Sequence, residues 1–433
     1  MTARSTLLIT NNTTKIMTRR VVITGMGVIS PLANNVNDFW KGLVEGQCAI
    51  DYIQQIPNEN LPVRIAAEVK NFDPTAYGID KSSIRHSDTF ALYAMAAATQ
   101  AMQDAGLEVE GTGANAIAAD RIGVCIGSGV GGIQTFQKQH AVLMNDGSRR
   151  VSPLFIPMMI GNMGAANVAT VFHAEGPCLP VVTACATGTH SIGEAFLTIA
   201  YGRADAMIAG GTEAAVTEIA IAGFNNCKAL THIEDPKHAS IPFDANRSGF
   251  VLGEGSGVMI LEEYEHAVRR GANILAEVVG YGNTCDAYHY TAPRPDAKCS
   301  SKAIAEALRM AKYTAEDHLY INAHGTSTPL NDKSETLAIK MALGETDARR
   351  ALISSNKSMI GHMLGAAGAV ELIASVMTLC KGIVPPTIGL TTPDPDCDLD
   401  YVPGTARQAN VNVAISNSFG FGGQNACVAI RKM

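Results

Sequence analysis

The chain has 433 residues, 47% of them apolar and 17% charged, with 33 Lys and Arg against 40 Asp and Glu for a net charge of −7. High apolar content with low charge excludes intrinsic disorder, and the acidic balance argues against a nucleic-acid-binding surface. So little charge among 41 glycines cannot supply coiled-coil heptads; it predicts a large core and an oligomer instead.

Residues 1–17 contain basic residues but no acid, and read as a disordered leader ahead of the fold. Such a leader places the protein in the cytoplasm; a transit peptide would direct it to a plastid or mitochondrion. Arg20–Thr24 is a β-branched run closed by Gly25 and reads as a buried strand. Asp88–Gln103 has helical spacing. Arg121–Gly127 is a second strand, stopped by a glycine-rich turn to Gly132. Leu179–Cys185 reads as a third strand, running into the small-residue helix Thr187–Gly202. Asp205–Ala214 is a strand, and Gly257–Gly271 passes from strand to amphipathic helix.

The pattern then restarts. Ile274–Gly282 is a strand, Ser300–Tyr313 a helix and Leu319–Gly325 a strand ending in a turn. Ala351–His362 leads into a second small-residue helix, Met363–Gly382, and Asn412–Lys432 is a closing hairpin. Glu371 and the glycines in 363–380 make this apolar stretch a buried helix rather than a membrane span. Alternating strands and helices predict an α/β fold with largely parallel sheets. We divide it into halves at 18–273 and 274–433. Each half delivers a reactive residue, Cys185 or His362, to the start of a helix that is small or apolar almost all round. Two such helices must be buried on every side, between two sheets. The expected architecture is five layers, αβαβα, built from two similar halves.

Residues 20–30 lack the third glycine and the distant acid of a dinucleotide site, and no phosphate-binding GxxxxGK[ST] loop occurs. The ten cysteines include no CxxC pair, so no metal site is expected. Cys185 stands at a strand–turn–helix elbow, where a helix N-terminus favours thiolate over thiol. His324 (in NAHGTSTP) and His362 (in KSMIGHMLGAAG) each sit at a strand-to-loop junction. Lys357, nearly alone among uncharged residues, needs a partner if buried, and Glu335 is the acid we assign to it. Phe419–Gly423 (FGFGG) reads as a mobile gate whose backbone N–H groups could form half of an oxyanion hole.

TACATG around Cys185, NAHGTSTP, KSMIGHMLGAAG and NSFGFGG, four motifs in order, resemble the elongating β-ketoacyl-acyl carrier protein synthases. The likeness spans about residues 18 to 433, and DAYHYTAP (286–293) is more similar to the synthase II branch. This family has the thiolase fold. The resemblance implies decarboxylative condensation of malonyl-carrier protein with an acyl chain held on Cys185, elongating fatty acids by two carbons. His324 and His362 would stabilise the enolate, and Lys357 and Glu335 would fix the imidazoles. The N–H groups of Cys185 and Phe421 would hold the oxyanion. Thr326 and Thr328 would bind pantetheine, beside Phe419 and Gly422. Val130, Phe155 and Ile156 would line the acyl pocket, and Lys81, Arg85, Arg149, Arg150 and Lys228 would receive the acidic carrier protein. The implied enzyme is a homodimer without nucleic acid or membrane insertion. It requires no cofactor, though a structural monovalent cation is possible. Val130 and Gln424 depart from the pattern of many relatives. The alternatives are a ketosynthase of a type II polyketide pathway, an acyl-thioester hydrolase, and a non-enzymatic partner subunit.

Overall fold

The computed structural model describes residues 18–433, and the leader assigned to 1–17 lies outside the described residues. Nine strands form one continuous sheet: β1 (Val21–Ile29), β2 (Ile122–Gly127), β3 (Ala206–Glu213), β4 (Gly255–Glu263), β5 (Ala276–Cys285), β6 (Leu319–Asn322), β7 (Leu352–Ser354), β8 (Val413–Gly420) and β9 (Gln424–Arg431). Their spatial order is β7-β6-β8-β9-β5-β1-β4-β3-β2. The expectation of largely parallel sheets is corrected: only β2–β3, β6–β7 and β6–β8 are parallel, and every other neighbouring pair is antiparallel. The turn between β8 and β9 is too short for the crossover that a parallel pair requires.

Read outward from the centre, β1-β4-β3-β2 repeats as β5-β9-β8-β6, and β1 meets β5 edge to edge through Val21–Ile23 and Ala276–Val278. Beyond β6 lies β7, and in the same place beyond β2 lies the segment following Pro177. The strand expected over Leu179–Cys185 is not formed. Val124 N–H donates to Pro177 O at 2.9 Å and Leu179 N–H to Val124 O at 3.2 Å, after which pairing stops. Pro180 has no N–H to offer a ladder, and Leu179 and Val182 are left exposed.

Five helices define the layers. α1 (Thr89–Ala105) is capped by the Asp88 carboxylate, which accepts from Phe90 N–H, and stops at left-handed Gly106. It lies on the outer face of β1 and β4, where a Cβ at Gly27 would come within 2.0 Å of Ala97 O. α2 (Thr187–Ala200) and α5 (Ala367–Lys381) form the middle layer. α3 (Lys298–Met310) packs over β5 and β9 on the far side, with α4 (Pro329–Leu343) against it. The αβαβα expectation therefore holds, and its cause is visible where the middle helices cross. A Cβ on Gly188 would stand 2.9 Å from Ala369 N, and one on Gly368 would stand 2.0 Å from Thr189 Oγ1. Leu364–Lys381 is long and apolar enough to cross a membrane, but 89% of it is buried inside the protein.

Candidate active site

The two middle helices begin back to back, and each is entered through a strained turn. Cys185 sits in the short turn Ala184–Ala186 ahead of α2, and Ala184 holds φ +49°, which in a residue with a Cβ costs roughly 1–3 kcal/mol. Leu364, two residues after His362 and just ahead of α5, repeats the device at φ +46°. Thr183 N–H donates to Thr187 Oγ1 at 2.8 Å, and the Thr183 hydroxyl lies 2.8 Å from His190 Nδ1. These bonds hold the cysteine turn from behind.

His324 follows β6. Its N–H and that of Gly325 each donate to the Glu335 carboxylate at 2.8 Å, and Asn417 Nδ2 adds a third bond at 3.2 Å. His362 is held by its own backbone: its N–H donates to Val251 O at 2.7 Å, and its carbonyl accepts from Gly253 N–H at 2.9 Å. Its Nδ1 accepts from Leu364 N–H at 3.3 Å, which leaves the ring proton on Nε2. The two imidazole centroids are 5.3 Å apart, nearly perpendicular, and aromatic rings flank them: Phe250 lies 5.1 Å from His362 and Phe419 lies 5.8 Å from His324.

The assignment of Glu335 to Lys357 is corrected. Lys357 Nζ bonds the carboxylate of Glu371 on α5, and both side chains are buried. Glu335 is occupied by the backbone around His324 and by Asn417. Glu371 was legible as the one acid in an apolar helix. A buried acid and a buried Lys each require an opposite charge, and that requirement outranks nearness in sequence.

Cys185, His324, His362, Thr326, Thr328, Phe419 and Phe421 line one cavity, together with Phe250, Asp286 and Asn425, which the sequence reading did not single out. Thr326 and Thr328 bond each other through their hydroxyls at 2.9 Å. Gly422 lies beside this lining in the exposed turn, its N–H donating to Tyr290 O at 2.8 Å. Val130, Phe155 and Ile156 are not part of it: Val130 and Ile156 are exposed, and Phe155 is half-buried. Lys81, Arg85, Arg149, Arg150 and Lys228 are all exposed, on separate turns and helix ends of the first half.

Burial dominates the electrostatics. It pushes the Cys185 thiol up to about 11, against the Lys357 charge and the N–H groups of Phe421 and Cys185, which face the sulfur and favour thiolate. The expected low-pKa thiolate is thus reversed in the free protein, because desolvation outweighs the partial charge of a helix end. Burial also holds His324 and His362 well below the ordinary imidazole value, and the Lys357 charge adds to this. Both rings are neutral donors at neutral pH. Glu335 is pushed up to about 7 by burial. A nucleophile, two neutral donors and paired N–H groups around one cavity suit acyl transfer through a covalent thioester.

Comparison with known proteins agrees. Residues 18–267 match the family model described as Beta-ketoacyl synthase, N-terminal domain, and 275–391 match Beta-ketoacyl synthase, C-terminal domain. The chain is 49% identical over 415 residues to 3-oxoacyl-[acyl-carrier-protein] synthase 2 of Synechocystis sp., covering 96% of this chain and 98% of the relative. It is likewise 49% identical over 416 residues to the protein of that name in Vibrio harveyi, covering 96% and 99%. Among solved structures, a beta-ketoacyl synthase from Burkholderia phymatum superposes with a TM-score of 0.88 at 35% identity, covering 96% of this chain and all of that one. A structure described as a type II PKS acyl-carrier protein in complex with its ketosynthase, bound to the hexaketide, also gives 0.88, at 33% identity over 96% of this chain and all of that one. Its sequence, its five-layered fold and the residues of its cavity all lead to one conclusion: this chain belongs to the beta-ketoacyl synthase family.

Proposed function

We propose that this chain acts as a 3-oxoacyl-[acyl-carrier-protein] synthase of the second type, elongating fatty acids by two carbons. One observation carries the reading: Cys185 from one half and the neutral pair His324 and His362 from the other line the same cavity. Cys185 attacks the acyl thioester of the carrier, forming a new S–C bond and releasing the carrier's pantetheine thiol. The N–H groups of Cys185 and Phe421 stabilise the oxyanion, each contributing about 2.7–4 kcal/mol. Malonyl-carrier protein then loses carbon dioxide, and the electron pair left behind becomes an enolate. His324 and His362 donate to the enolate oxygen. Its carbon attacks the acyl-Cys carbonyl, a C–C bond forms, and the sulfur leaves as thiolate. Lys357 and Glu371 fix the field around the imidazoles, and Glu335 fixes the His324 backbone.

The polyketide reading differs in what becomes of the product. The 49% identity to 3-oxoacyl-[acyl-carrier-protein] synthases 2, against 33% to a chain from the polyketide complex, favours fatty acid elongation. Acyl carrier protein is the proposed partner, received by Lys81, Arg85, Arg149, Arg150 and Lys228. The proposed assembly is a homodimer in the cytoplasm, formed through exposed apolar side chains that include Val130, Ile156, Leu179 and Val182. Across that interface these side chains would close over the acyl pocket. A structural monovalent cation would draw on Asn417, whose buried Oδ1 finds no partner among the described residues. The decisive assay supplies acyl- and malonyl-carrier protein and looks for the 3-oxoacyl product two carbons longer. A Cys185→Ala protein that still condenses, or a wild type that only hydrolyses the acyl thioester, would refute the reading.

A further inference from the structure

Glu213, the last residue of β3, is wholly buried and has no part in the chemistry above. Its carboxylate gathers donors from two parts of the chain that are far apart in sequence. From the turn after β2 it accepts Ser128 Oγ at 2.7 Å, Gly129 N–H at 2.8 Å and Val130 N–H at 3.3 Å. From the turn after His362 it accepts Gly365 N–H at 3.0 Å. Ser128 Oγ in turn accepts from Gly131 N–H at 2.9 Å, which ties down the rest of the first turn. The fit is tight on both sides. A Cβ on Gly129 would stand 2.7 Å from Glu213 Oε2, and one on Gly365 would stand 2.9 Å from Oε2 and 2.5 Å from Gly129 N. The two turns therefore touch backbone to backbone, and the carboxylate is what joins them.

We propose, on the condensing reading above, that Glu213 is a positioning residue for the second half-reaction: it locks the Ser128–Gly131 turn, whose Val130 would meet the acyl chain once the proposed dimer closes over it, against the turn that aims His362. Placing the acyl chain and placing the enolate donor then become one structural event. Cys185 itself enters from a separate turn braced by Thr187 and His190, so the sulfur keeps its place when the clasp is loosened. The Glu213 charge even opposes ionisation of Cys185, so removing it does not slow acylation on electrostatic grounds.

The test uses the full-length enzyme carrying Glu213→Gln, which keeps the shape but turns part of the acceptor into a donor. Acylation of Cys185 by acyl-carrier protein, followed by intact-mass spectrometry, is expected at or above the wild-type rate. Condensation kcat is expected to fall about 10- to 100-fold, the scale of one or two lost charge-assisted hydrogen bonds, with the KM for malonyl-carrier protein little changed. The acyl length condensed fastest is expected to shift. Should Glu213→Gln misfold, Ser128→Ala removes one strand of the clasp and is expected to show the same split, smaller. Equal loss in both half-reactions, or no loss in either, overturns the proposal. A wild type that acylates but never condenses would instead overturn the functional reading beneath it.

Discussion

At Cys185 burial and charge pull the thiol in opposite directions, and burial dominates. A thiol raised to about 11 is almost wholly protonated near neutrality, and below its pKa the thiolate fraction grows about tenfold per pH unit. Alkylation of Cys185 by iodoacetamide in the free enzyme should therefore climb about a hundredfold between pH 7 and 9. A rate already level across that range would restore the low-pKa thiolate that the helix N-terminus suggested. The pair Lys357–Glu371 separates stability from chemistry. Lys357→Met alone leaves a buried acid without its counter-charge and should cost about 3–5 kcal/mol in urea unfolding. Adding Glu371→Leu should return most of that stability, while condensation stays lost in both. If the double variant recovered activity as well, the pair would have no role beyond folding.

The middle helices work only because they are made of small residues. α2 and α5 approach closely at Gly188 and Gly368, and this contact sets the two strained turns, at Ala184 and Leu364, side by side. Gly368→Val would drive a methyl group into Thr189 Oγ1, and overpacking of this kind typically costs about 1–3 kcal/mol. We expect a lower urea midpoint together with a loss of Cys185 acylation, since the strain falls at the base of the elbow. A variant as stable and as readily acylated as wild type would show that the helix crossing does not set the site. The edge segment after Pro177 is less constrained. It pairs for three residues and then leaves Leu179 and Val182 71% and 59% exposed. Apolar exposure on an unfinished sheet edge is a liability that proteins cover.

For the molecule as a whole, the proposed homodimer is the simplest cover for that edge. Sedimentation at micromolar concentration should give twice the chain mass, and Leu179→Asp with Val182→Asp should give a monomer. A monomeric wild type would remove the proposed interface. Much of this protein was legible in its sequence. Small-residue helices dictated burial between sheets, because only glycine and alanine allow backbones so close. Four motifs marked Cys185, His324, His362, Lys357 and the Phe419–Gly423 turn, although only His324 and that turn stand at the ends of formed strands. Tertiary structure alone decided who meets whom. That Glu371 rather than Glu335 answers Lys357, that the sheet is mostly antiparallel, and that Glu213 joins two distant turns all depend on contacts between residues far apart in the chain. The thiol's pKa belongs to the same group, since desolvation depends on everything packed around the sulfur, and local spacing carries no record of that.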